Sequence, residues 1–141
     1  EVTTEGGLNL NKNYNLIKKI VNKLNNKNIR TSLFINPSIK NIILSKKIGA
    51  KCVELHTGKI SRLIKNNKNF SKEFLKIKDC SKFGVENNIE IHAGHGLDYK
   101  TTKLLTKISY ITEYNIGHFI IGESIKIGIS KVIKNFKKII K

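Results

Sequence analysis

The chain has 141 residues, of which 39% are hydrophobic, enough for one domain with a real core and too apolar for a disordered segment. Its longest apolar stretches, such as Phe119–Ile121 and Ile42–Leu44, are far too short to span a bilayer. The net charge of +17 tempts toward nucleic acid, but the lysines are scattered along nearly every segment among abundant Asn and Ile, as an AT-biased genome would write them. The basic residues are therefore read as a solvated surface that also attracts phosphorylated substrates.

In chain order, Leu10, Tyr14, Ile17, Val21 and Leu24 recur at helical spacing, which predicts an amphipathic helix over Asn11–Asn25. Ile29–Ile35 is a β-prone run stopped by Asn36-Pro37. Ser38 is placed to cap a helix over Ile39–Lys47, and Gly49 to end it. Cys52–Leu55 reads as a second buried strand. Phe70, Phe74, Ile77 and Phe83 mark one face of a third helix, and Ile89–Ile91 starts a third strand. Asp98–Ile108 suits a short helix, Tyr114–Ile116 a fourth strand, and Phe119–Ile140 a long closing helix.

Strands alternating with helices imply a parallel sheet with right-handed crossovers. Residues 1–141 are read as one domain or one piece of a domain. There is no N-terminal pattern of charge, apolar run and small-residue cleavage site. The first residue is Glu1 rather than Met, so the chain is expected to begin within a longer protein or after processing. Cys52 and Cys80 have neither a CxxC nor a zinc spacing, and are expected to be reduced thiols of a cytoplasmic protein.

An open flavodoxin-like sheet and a barrel segment both fit this order. The polar motifs discriminate, because they follow the predicted strands. Glu54-Leu55-His56-Thr57-Gly58 ends the second, His92-Ala93-Gly94-His95-Gly96-Leu97 the third, and Asn115-Ile116-Gly117-His118 the fourth. Thr3-Thr4-Glu5-Gly6-Gly7 precedes the first helix. In a parallel barrel all strand C-termini open on one face, where active sites are built. Three of the four histidines and one carboxylate are therefore expected to converge. His95, bracketed by Gly94 and Gly96, is either a general acid or base or a turn histidine. Gly117-His118 opens a helix whose N–H groups can hold a phosphate, or is simply a helix start. Glu54 at a strand end is hard to explain structurally, since burying an unpaired carboxylate is costly. His56 and His92 can be supporting or packing residues. A metal site from His56, His92 and His95 has no recognised zinc spacing.

These segments, together with Glu1-Val2-Thr3-Thr4-Glu5-Gly6-Gly7-Leu8, Ser32-Leu33-Phe34-Ile35 and Ile120-Ile121-Gly122, resemble the pyridoxine 5′-phosphate synthase family, in order and spacing, over essentially the whole chain. The resemblance implies the C-terminal half of a (β/α)8 TIM barrel, with the family's N-terminal strands and their further catalytic His and Glu absent. It implies condensation of 3-amino-2-oxopropyl phosphate with 1-deoxy-D-xylulose 5-phosphate to give pyridoxine 5′-phosphate, inorganic phosphate and water. No metal or organic cofactor is implied, no nucleic acid and no membrane, and the full-length protein is expected to be a homo-oligomer. By resemblance His95 is the proton donor and Glu54 stabilises transition states. Thr3 contacts the deoxyxylulose phosphate, and Gly96, Gly117 and His118 hold the aminoketone phosphate. Two positions depart from the family pattern: His92 stands where Asn is frequent, and Glu123 where Arg is frequent. The alternatives are another phosphate-binding barrel enzyme or a basic nucleic-acid-binding module. An aldolase is disfavoured by the lack of a strand-end Lys, and the module by an aromatic content of only 7% and the lack of any RRM, KH or helix-turn-helix signature.

Overall fold

The computed structural model describes residues 6–141. The motif containing Thr3 lies outside the described residues. The first helix, α1 (Tyr14–Asn25), begins later than its apolar spacing predicts. The first strand, β1 (Ser32–Ile35), occupies the second half of the predicted run. In α2 (Ile39–Ile48), Ser38 Oγ accepts the Asn41 N–H at 3.1 Å, while Gly49 closes the helix at φ 95°. The hydroxyl satisfies an amide with no intrahelical partner, and the glycine tolerates the left-handed turn. Next comes β2 (Cys52–His56).

Between β2 and β3 (Glu90–Gly94) the structure has two helices where the sequence reading finds one. These are α3 (Gly58–Lys65) and α4 (Ser71–Glu86). The first is about two turns long and opens on glycine, so its apolar repeat is too short to stand out. Asp98 caps α5 (Tyr99–Leu105) by accepting the Thr101 N–H at 2.7 Å. The last strand, β4 (Ile111–Asn115), starts earlier than predicted. The predicted closing helix is also two helices, α6 (His118–Ile127) and α7 (Ile129–Ile140). Gly128, at φ 80°, separates them. That turn folds α7 back, burying Val132 and Phe136. Phe136, Phe119 and Tyr99 then meet with ring centroids 4.6 to 5.9 Å apart.

All four strands are parallel and lie in the order β1-β2-β3-β4. Side chains alternate between the two faces of a strand. Leu33, Ile35, Val53, Leu55, Ile91 and Ala93 face the helices and form the core. Each fully buried Ile or Leu there contributes about 1.5–3 kcal/mol. The other face is polar and carries Cys52, Glu54, His56, Glu90, His92 and Gly94. Sequential parallel strands with helices on one side and polar groups on the other make a partial (β/α)8 barrel. The polar face is the barrel interior, and the C-terminal strand ends form one rim.

One irregularity matters for that face. Ile91 pairs with Ile111, but His92 pairs with Glu113 rather than Thr112, a bulge in β4. The extra residue reverses the alternation downstream of Thr112. Glu113 and Asn115 therefore join the polar face, while Tyr114 packs against the core. Among the described residues no helix is long and apolar enough to cross a membrane.

Candidate active site

The loops after β2 and β3 lock together at the C-terminal rim. The Thr57 N–H donates to the Gly94 carbonyl at 2.8 Å. The Thr57 hydroxyl lies 2.7 Å from the same oxygen and 2.8 Å from the His95 carbonyl. The Ser61 hydroxyl donates to the Gly96 carbonyl. Held this way, His95 and Gly96 both adopt positive φ, 71° and 74°. For a histidine that backbone is uncommon, and outliers of this kind concentrate at functional sites.

The strained loop lays the His95 ring on His56, with centroids 4.8 Å apart and planes 20° from parallel. Phe34 of β1 backs both rings, at 5.3 Å from His56 and 6.3 Å from His95. Gly58 completes the slot. A Cβ there would stand 2.7 Å from His95 Cδ2 and 2.8 Å from His56 Cε1, so any side chain would push the rings aside. His56 is buried and His95 half-buried, which leaves the outer imidazole open to a bound molecule.

Glu54 sits beside this stack on the interior face. Its Oε2 accepts the Asn115 side-chain amide at 2.7 Å. Gly94 lies between them on β3. A Cβ there would overlap Glu54 Oε1 and stand 2.6 Å from its Cδ. Gly117 and His118 follow Asn115 at the same rim, and both are exposed. His118 opens α6, whose first N–H groups are free to bind an anion.

His92 does not join the other two histidines. It is 1% exposed and lies one layer deeper in the interior. Its Nε2 is 3.0 Å from Glu90 and its Nδ1 3.4 Å from Glu113. Arg30 bridges the same two carboxylates at 2.9 and 3.5 Å. The hydrogen bond from His92, with help from Arg30, holds the Glu90 carboxyl below its ordinary pKa. Of the four histidines, His56, His95 and His118 therefore stand at the rim, and His92 is the one that lies below it. A residue within the strand, two positions before its end, projects into the layer below the rim.

Among the described residues, the three whose ligand atoms lie within 4.8 Å of one another are Cys52, Glu90 and His92, not His56, His92 and His95. The Arg30 guanidinium on Glu90 opposes a cation at that point. Burial raises the Cys52 thiol above its ordinary value, with the Arg30 charge opposing. Burial pushes Cys80 up to about 11. Both therefore carry protonated, inert thiols.

Phe34, Thr57, Gly58, Gly94 and Asn115 complete the site, although sequence reasoning notes Gly94 only as a glycine flanking His95 and assigns the others no role. All but Phe34, which lies within β1, fall inside the strand-end motifs. The signal for Asn115 is hidden, because the bulge at Thr112 inverts the alternation that would place it on the interior face.

The family model for pyridoxal phosphate biosynthesis protein PdxJ matches residues 1–141. The chain belongs to the PdxJ family. It is 63% identical over 139 residues to the pyridoxine 5′-phosphate synthase of Pelagibacter ubique, covering 99% of this chain and 58% of that protein. It is 41% identical to the synthase of the same name from Blochmanniella floridana, covering all of this chain and 57% of the relative. It is 39% identical to that of Ehrlichia ruminantium, again covering 57% of the relative. The chain therefore spans somewhat more than half the length of these PdxJ relatives.

Proposed function

We propose that these residues form one wall of a pyridoxine 5′-phosphate synthase active site. The reaction condenses 3-amino-2-oxopropyl phosphate with 1-deoxy-D-xylulose 5-phosphate. The products are pyridoxine 5′-phosphate, inorganic phosphate and water. The observation that carries this reading is the rim arrangement of His95 stacked on His56 with Glu54 alongside. Imine formation, dehydration and ring closure all require protons to move on and off oxygen and nitrogen. His95 donates a proton to a departing hydroxyl. Glu54, an anion facing the interior, stabilises the cationic character that develops on an imine nitrogen. Gly96, Gly117 and His118 hold the aminoketone phosphate, which the start of α6 favours by its exposed N–H groups. Thr3 contacts the deoxyxylulose phosphate. The chemistry is acid–base throughout and is assigned to side chains alone. The whole protein works in the cytoplasm as a homo-oligomer, and residues 1–141 alone do not turn over.

The test uses a chimera in which residues 1–141 replace the matching segment of the Pelagibacter ubique relative. With both substrates supplied, His95→Ala lowers kcat by about 10²-fold or more, the scale of a lost general acid. Substrate affinity changes far less. A parental kcat with only KM raised would make His95 a binding residue.

A further inference from the structure

Three separate features serve a single hydrogen bond at the rim. Glu54 leaves β2 and its carboxylate reaches past β3 to β4, where the Asn115 amide donates to Oε2 at 2.7 Å. The passage over β3 exists because position 94 is glycine. A Cβ there would overlap Glu54 Oε1 and lie 3.2 Å from Asn115 Cβ. The donor faces the passage because β4 is bulged. Without the extra residue at Thr112, alternation from Ile111 would turn Tyr114 inward and Asn115 outward. With it, Tyr114 packs against the core and Gly94 pairs with Asn115.

We infer that Asn115 is a positioning residue for Glu54, fixing the carboxylate so that Oε1 is presented to the substrate. This rests on the reading of Glu54 as catalytic. The choice of an amide has a physical reason. A Lys or Arg at position 115 would hold the carboxylate but cancel its charge, which is needed opposite a developing cation. Asn donates through one N–H and leaves the charge intact. Its short side chain on a strand has few rotamers, so the hydrogen bond sets direction as well as distance. Gly94 is the complementary part: it supplies no contact, only the space in which the carboxylate lies.

The test uses the same chimera, with Glu54→Gln as reference. Asn115→Ala is expected to lower kcat by about 10- to 100-fold with KM for both substrates nearly unchanged, the cost of a catalytic group displaced by about an ångström. Gly94→Ala should do the same by a different route, displacing the Glu54 carboxylate directly while crowding Asn115 Cβ far less. Asn115→Asp sets a second carboxylate against Glu54, which disfavours ionisation of the pair. The acid limb of its kcat–pH profile then moves to higher pH, which reports that position 115 lies directly against the carboxylate used in turnover. If Glu54→Gln turns over at the parental rate, the catalytic reading of Glu54 falls and the inference with it. If Glu54→Gln is impaired while Asn115→Ala keeps the parental kcat and Asn115→Asp the parental profile, Asn115 does not position Glu54, and only the inference falls.

Discussion

The hydroxyl of Thr57, at the end of β2, lies 2.8 Å from the carbonyl oxygen of His95, in the loop after β3. This contact ties the one strained histidine of the described residues to a neighbouring strand. The 71° φ of His95 persists because Thr57 and Ser61 hold the loop from the other side.

Thr57→Val keeps the side-chain volume and removes the donor. The buried Gly94 carbonyl and the part-buried His95 carbonyl lose their hydroxyl partner, although the backbone N–H at position 57 still reaches Gly94. Stability should fall by about 1–3 kcal/mol, the cost of an unsatisfied buried acceptor. Urea titration of the chimera measures it. The released loop should also lower kcat, and Thr57→Ser should restore both.

His118→Ala should raise the dissociation constant for the aminoketone phosphate and leave kcat at saturation almost unchanged. His118 is exposed at the start of α6, placed to bind rather than to shuttle protons. Calorimetric titration with that substrate checks this. An unchanged affinity would remove His118 from the phosphate site.

The Arg30–Glu90–His92–Glu113 network makes an acid-side prediction. Glu90 is held below its ordinary 4.5, first by its hydrogen bond with His92. A carboxyl with a depressed folded pKa contributes stability that is present above the unfolded value and lost as pH falls through the folded one. The melting temperature should therefore drop on acidification below pH ~4.5. In Glu90→Gln the drop should be shallower, and His92→Asn should lessen it by removing the largest cause. Glu90 is more than a third exposed, so solvent screening keeps the effect modest. Melting curves followed by circular dichroism at successive pH values decide it.

Residues 1–141 expressed alone should show no ring closure and should self-associate. Among the described residues, β4 is hydrogen-bonded only to β3, and an open strand edge invites pairing. The neighbouring helices expose Ile121, Ile125 and Ile129 at 63%, 85% and 57%, apolar surface that association would cover. Size-exclusion chromatography should give a species larger than the monomer, and Ile125→Lys should shift it toward the monomer. Turnover comparable with the chimera from a well-folded monomer would overturn both expectations.

The sequence by itself determined the alternation of strands and helices, and so the parallel sheet. It also located the chemistry at strand ends, because Glu54, His95 and His118 stand where apolar runs stop. Caps with one chemical meaning, Ser38 and Gly49, were readable because they act within a few residues. Local signals failed where two outcomes share one pattern. The predicted helix over Phe119–Ile140 is apolar enough throughout to be continuous, and only the packing of Phe136 on Tyr99 and Phe119 gives the turn at Gly128 its purpose. The histidines separated for a related reason. His56, His92 and His95 all lie near strand ends, but a strand advances about 3.3 Å per residue, so His92, on the same face as His56, pairs with Glu54 one layer below it. His92 therefore meets Glu90 and Glu113, while His95 reaches His56. The hold of Asn115 on Glu54 was the least legible feature. It joins residues 61 positions apart, across a glycine that contributes only absent atoms and after a bulge that exists only as a register between two strands.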